Sequence, residues 1–244
     1  MNGAVTRIAA SLIALALSAP GLASGGAELP FSYKADTGNQ ASLQRGASAF
    51  MSYCAGCHSM RMMRYNRIGL DLGIPEDLLK KHLIPAGAKP GDVIKAAMPA
   101  DSEKWFGRVP PDLTLTARER GPDWIYSYLL SFYLDPTRPT GVDNLVLPGA
   151  AMPHVLGGLQ GYQALHKAEG EHGHGKPKFE LVKAGSLSPA EYKDFVADLT
   201  NFMTYAAEPG RNRRISTGWK VLLYVLLFWG LAYLLKQEYW KDVH

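Results

Sequence analysis

Two thiols and an imidazole stand within five positions of one another in Cys54-Ala55-Gly56-Cys57-His58. Thiols three positions apart can each add to a vinyl group of a single porphyrin. The next residue then carries its imidazole under the ring, where it can take an axial position on the iron. These are the only two cysteines in the 244-residue sequence. A zinc site would need two further soft ligands at suitable spacing, and there is no second Cys pair. A redox dithiol would be expected beside a βαβ pattern, and none is visible. The spacing therefore predicts one covalent haem c, bound through Cys54 and Cys57, with His58 as an iron ligand.

A one-electron carrier benefits from a closed six-coordinate iron, and a methionine opposite a histidine raises the potential. A thioether is soft and uncharged, so it favours the ferrous state. Of eight methionines, Met60, Met62 and Met63 lie too close after His58 to reach the opposite face of the ring easily. Met203 falls on the apolar face of a terminal helix. Met98-Pro99 and Met152-Pro153 are the two in proline-bearing loops, where the proline favours an extended conformation of the methionine. Spacing alone leaves these two even.

The elements that must position such a group are helical. Ser42 to Phe50 reads as a short helix running into the cysteines, with Ser42 as N-cap, Leu43, Ala47 and Phe50 on one side, and Gly46 where another helix could approach closely. Pro122 to Leu134 reads as a second helix. Ser188-Pro189-Ala190-Glu191 is a capping box with proline at the first helical position. It opens a third helix whose apolar residues, from Tyr192 to Ala206, keep the 3.6 period until Pro209-Gly210. The first and last of these crossing at Gly46 would close the head around the haem. The rest is rich in proline, with no strand alternation strong enough to predict a sheet. Gly157 to Gly185 reads as an exposed insertion whose His166, His172 and His174 are solvated. The expected fold is mainly α, a cytochrome c-like haem domain with long loops plus one C-terminal transmembrane helix.

Both ends speak of a membrane. Arg7, the apolar run Ile8 to Leu17 and the small residues after it have the order of a secretory signal, too short to span a bilayer. We expect a signal peptide over 1–24, a head over 25–210, an anchor over 216–236 and a short tail over 237–244. Trp219 to Leu235 carries one charge, Lys220, with aromatic and basic residues at both ends suited to the interfaces. Arg211, Arg213, Arg214 and Lys220 precede the span, which by the positive-inside rule alone would put the head in the cytoplasm. A large domain translocates largely regardless of such charge, so the signal decides for a periplasmic head on a bacterial inner membrane. Residues 25–210 hold 19 Lys plus Arg against 20 Asp plus Glu, a net of −1. The basic residues gather at the membrane boundary without interleaved aromatics, which excludes a nucleic-acid binder.

Several segments in order resemble the cytochrome c1 family, the haem subunit of the quinol–cytochrome c reductase (bc1) complex. They are Cys54 to Met60 with Tyr65, Trp105-Phe106-Gly107, Pro110-Pro111-Asp112-Leu113, Ala117-Arg118 with Gly121, Ala151-Met152-Pro153, Ala206-Ala207-Glu208-Pro209, and the basic cluster before one apolar span. The resemblance covers most of residues 30–240. It implies Met152 as the second axial ligand, Arg118 as the partner of a haem propionate, and Pro111 and Tyr65 in the haem surroundings. Trp124 stands where the family often has tyrosine, and Tyr205 where it commonly has tryptophan. By the same resemblance the protein would take electrons from a Rieske iron–sulfur subunit and pass them to a soluble cytochrome c. It would sit beside cytochrome b in a dimeric complex and make no substrate bonds itself. An anchored cytochrome c feeding a terminal oxidase is the nearest rival. A haem peroxidase or gas sensor, which needs an open sixth position, is a more distant one.

Overall fold

The computed structural model describes residues 29–166 and 178–241. The signal peptide, His172 and His174 lie outside them. In chain order the elements are α1 (Gln40–Tyr53), β1 (Met60–Arg64), α2 (Tyr65–Asp71), α3 (Glu76–His82), β2 (Val93–Ile94), a 3-10 turn (Ala100–Ser102), α4 (Glu103–Phe106), α5 (Thr116–Glu119), α6 (Pro122–Leu130), β3 (Phe132–Leu134), β4 (Val142–Asn144), α7 (Gly157–Gln160), β5 (Gly161–His166), β6 (Lys178–Ala184), α8 (Pro189–Ala207) and α9 (Arg211–Tyr239).

Helices α1 and α8 form the backbone of the head, and they cross at Gly46. A Cβ built on Gly46 would stand 2.1 Å from the Asp198 carbonyl oxygen and 2.7 Å from the Phe202 Cβ. Only hydrogen fits there, so the two backbones meet and Phe50 tilts against Phe202 with ring centroids 5.8 Å apart. Gly46→Ala should therefore push the helices apart and cost about 2–3 kcal/mol, the upper end for overpacking a core. A lower urea midpoint for the variant is the readout, and an unchanged midpoint would contradict this packing.

Asn39, rather than Ser42, caps α1, its side chain accepting from the Ser42 backbone N–H at 3.1 Å. Ser42 is buried and turns its hydroxyl across the crossing to Asp198 Oδ1 at 2.6 Å, while Asn201 Nδ2 donates to Ser42 Oγ at 2.8 Å. A cap and a buried cross-helix partner call for the same side-chain chemistry, and the tertiary use has won. The capping box at Ser188 is formed as expected: Glu191 N–H reaches Ser188 Oγ at 3.3 Å, and Ser188 N–H reaches Glu191 Oε2 at 2.9 Å.

The helix expected to run to Leu134 stops at Leu130. Asn144 is the reason. Fully buried, it donates from Nδ2 to the Tyr128 carbonyl at 2.8 Å, taking an acceptor at the helix end. The β-prone Phe132 and Tyr133 then pair in an antiparallel ladder, Phe132 opposite Asn144 and Leu134 opposite Val142. Two more two-stranded antiparallel ribbons exist, β1 with β2 and β5 with β6, where the sequence had suggested no sheet. The last lies inside the expected insertion. Its outer strand is largely exposed, but its inner one is tied to the head through Gln163, whose Nε2 donates to the carbonyls of Phe132 at 2.7 Å and Leu130 at 2.9 Å. His166 pairs with Glu180 across the ribbon at 2.7 Å.

Helix α9 is 29 residues long, with no buried residue, and among the described residues it is the one helix long and apolar enough to cross a membrane. At ~1.5 Å per residue it reaches about 43 Å, beyond a ~30 Å hydrocarbon core. It begins at Arg211, so the basic cluster forms its first turn.

Candidate haem site

The attachment turn grows directly out of α1. Cys54 and Ala55 both donate to the Phe50 carbonyl at 2.9 Å, and the N–H groups of Cys57 and His58 return to the Cys54 carbonyl at 3.0 and 2.8 Å. This places both sulfurs and the imidazole on one tight turn at a helix end. Cys54 is buried, Cys57 half-buried, and the two form no disulfide. Burial, with Cys57 adding to it, pushes the Cys54 thiol up to about 12. Among the described residues no cluster of three or more His, Cys, Asp or Glu could hold a metal ion.

His58 is buried, and its Nδ1 donates to the Pro111 carbonyl at 2.8 Å. That bond fixes the tautomer and leaves Nε2 as the free lone pair, the usual device for aiming a metal-binding imidazole. Burial holds the ring neutral, lowering its pKa below the usual histidine value against the opposing pull of Pro111 and Asp112. The carbonyl is in turn held in place. Asp112 accepts from the Arg61 N–H at 2.8 Å and the Thr114 N–H at 2.9 Å, while Leu113 N–H reaches the Ser59 carbonyl at 2.9 Å. The Pro110-Pro111 segment is thus laced to the strand that follows His58. Ser59, Asp112 and Thr114 supply this lacing, and spacing in the sequence carried no signal for it.

Met152 is half-buried on a different segment, beside α6 rather than the attachment turn. The turn before it is held by buried Asp143, whose Oδ1 accepts the Gly149 N–H at 2.8 Å, and Gly149 takes a φ of +78° that a side chain would resist. After it, His154 stacks on Phe132 at 4.9 Å and 9°. The sulfur accepts a hydrogen bond from the Tyr128 hydroxyl at 3.4 Å. Tyr128 is itself stacked on Trp124, ring centroids 5.1 Å apart and 6° from parallel. Met98 is half-buried in the loop after β2.

Cys54, Cys57, His58 and Pro111 are therefore brought together. Tyr65 is buried at the start of α2, behind the strand that follows His58. Arg118 is exposed and lines an open groove of about 400 Å³ with Tyr33, Asp123, Glu208 and Arg211, which includes neither His58 nor Met152. Two unpaired thiols on one turn, an imidazole whose Nδ1 is committed to a carbonyl, and a half-buried thioether in a pinned loop are a donor set that fits a haem.

What fold and site define together is a helical head with one Cys-x-x-Cys-His turn, carried on a single apolar helix. The model of the Cytochrome C1 family matches residues 179–243. The cytochrome c1 of Allochromatium vinosum is 55% identical over 227 residues, covering 91% of this chain and 93% of that one. The Nitrosomonas europaea protein named ammonia monooxygenase gamma subunit is 45% identical over 210 residues, 86% of each chain. The Rhodospirillum rubrum cytochrome c1 is 28% identical over 252 residues, 84% of this chain and 83% of that one. The chain belongs to the cytochrome c1 family. Its class is that of an electron-transfer subunit with covalently bound haem c, not an enzyme by itself.

Proposed function

We propose that this protein is the haem-bearing subunit of a bc1-type quinol–cytochrome c reductase in a bacterial inner membrane, with its head in the periplasm. It takes single electrons from a Rieske iron–sulfur subunit and gives them to a soluble cytochrome c. Cys54 and Cys57 would hold one haem c, with His58 and Met152 as its iron ligands and Arg118, Pro111 and Tyr65 in its surroundings. When bound, it supplies reversible one-electron chemistry. The chain's own part is to hold and aim. Pro111 orients His58, Asp143 and the His154–Phe132 stack hold the Met152 loop, and the α1–α8 crossing keeps the turn at a fixed place in the head.

The observation that carries this reading is the His58 ring, its Nδ1 committed to Pro111, on the turn that also carries the two free thiols. The full-length relationship to a cytochrome c1 supports the assignment to that complex. Mild detergent extraction with affinity capture of the full chain tests it. Cytochrome b and a Rieske protein should come down in stable proportion, two of each protomer to a particle. Capture with a terminal oxidase instead would favour the rival carrier, and rapid carbon monoxide binding to the reduced protein would favour an open-iron enzyme or sensor.

A further inference from the structure

We infer that the Tyr128 hydroxyl weakens the Met152 sulfur as an electron donor and so raises the reduction potential of the iron that this sulfur ligates. The inference rests on Met152 being the axial ligand. A thioether sulfur has two lone pairs, so one can face the iron while the other accepts the phenol. The O···S separation of 3.4 Å is within the range of a hydroxyl–sulfur hydrogen bond, and the hydroxyl makes no other bond among the described residues.

The phenol is held for this task. Trp124 covers one face of the ring in a near-parallel stack, and Phe132 meets it edge-on at 5.1 Å and 72°. Arg120 lies over the Trp124 ring at 5.5 Å. Asn144 grips the Tyr128 carbonyl, so the backbone is fixed as well as the ring.

The sign follows from electron demand. A hydrogen bond to sulfur draws density away from the iron. The ferric state needs that density more than the ferrous state does, so the oxidised form loses more and the potential rises. This is tuning through a ligand's own partner, which acts on a metal as surely as the ligand itself. Tyr128 is then a positioning residue, and its helix-face spacing in the sequence marks it only as core.

The test uses the full chain in its membrane. Tyr128→Phe keeps the ring and its contacts with Trp124 and Phe132 and deletes only the donor. Redox titration of the haem absorbance should give a lower midpoint potential, with the sulfur-to-ferric-iron charge-transfer band retained and shifted. A fluorinated tyrosine of lower phenol pKa at position 128 should move the potential the other way. Unchanged midpoints in both proteins would overturn the inference, as would a fall seen only together with loss of the sulfur band, which would reduce the hydroxyl to a packing role. If Met152→Leu keeps the sulfur band, the ligand assignment itself fails and takes the inference with it.

Discussion

Met152→Leu is expected to abolish the sulfur-ligated low-spin spectrum while leaving the haem covalently attached. Leucine and methionine occupy similar volumes, so the half-buried loop should tolerate the exchange for under about 1.5 kcal/mol. The hydrocarbon cannot donate to iron. Axial ligands set haem potentials across a range of about 0.8 V, so the midpoint should fall on the order of tenths of a volt. Reduced protein should also begin to bind carbon monoxide, since the sixth position is then open. Visible and magnetic spectra beside redox titration check this, with Met98→Leu as the control that should behave as wild type. The reverse result, with Met98→Leu alone losing the sulfur signature, would transfer the ligand role to the loop after β2.

The second large effect concerns the tail. Ending the chain after Gly210 should move the head from the membrane fraction to the soluble fraction. From Val221 to Leu235 nearly every side chain of α9 is apolar and exposed, with Leu223, Tyr224 and Leu227 all about two-thirds accessible. Leucine, valine and phenylalanine each contribute roughly −0.3 to −0.6 kcal/mol at the centre of a bilayer helix. A run of this length therefore holds the protein by several kcal/mol, and no described element of the head covers any of it. Fractionation after an alkaline carbonate wash is the measurement. A truncated head that stayed with the washed membrane would show that partner subunits, not α9, provide the anchorage.

What could be read from the sequence was what local chemistry dictates. The Cys54–His58 spacing, the Ser188 capping box and the apolar tail each carry their meaning within a few residues. Gly46 could be marked as a crossing because a glycine on a helix's apolar side has few other uses. What escaped depended on partners far along the chain. Ser42 has the chemistry of a cap, but Asp198, 156 positions later, claims its hydroxyl. The helix from Pro122 stops early because Asn144 takes the Tyr128 carbonyl. The β5–β6 ribbon lacks alternation, since its outer strand is wet on both faces and its inner strand is fastened by the side-chain amide of Gln163. The candidate site divides the same way. His58 could be singled out from its neighbours and Pro111 only through the family resemblance, whereas the bond from His58 to the Pro111 carbonyl and the Tyr128 hydroxyl on Met152 join segments 53 and 24 positions apart.

Intact mass of the mature chain, isolated from its native membrane and then treated with a thiol-alkylating reagent under denaturing conditions, bears most directly on the central claim. The mass should exceed that of the processed polypeptide by one haem, and neither Cys54 nor Cys57 should take up the reagent. A colourless polypeptide of bare mass that accepts two alkyl groups would contradict the account.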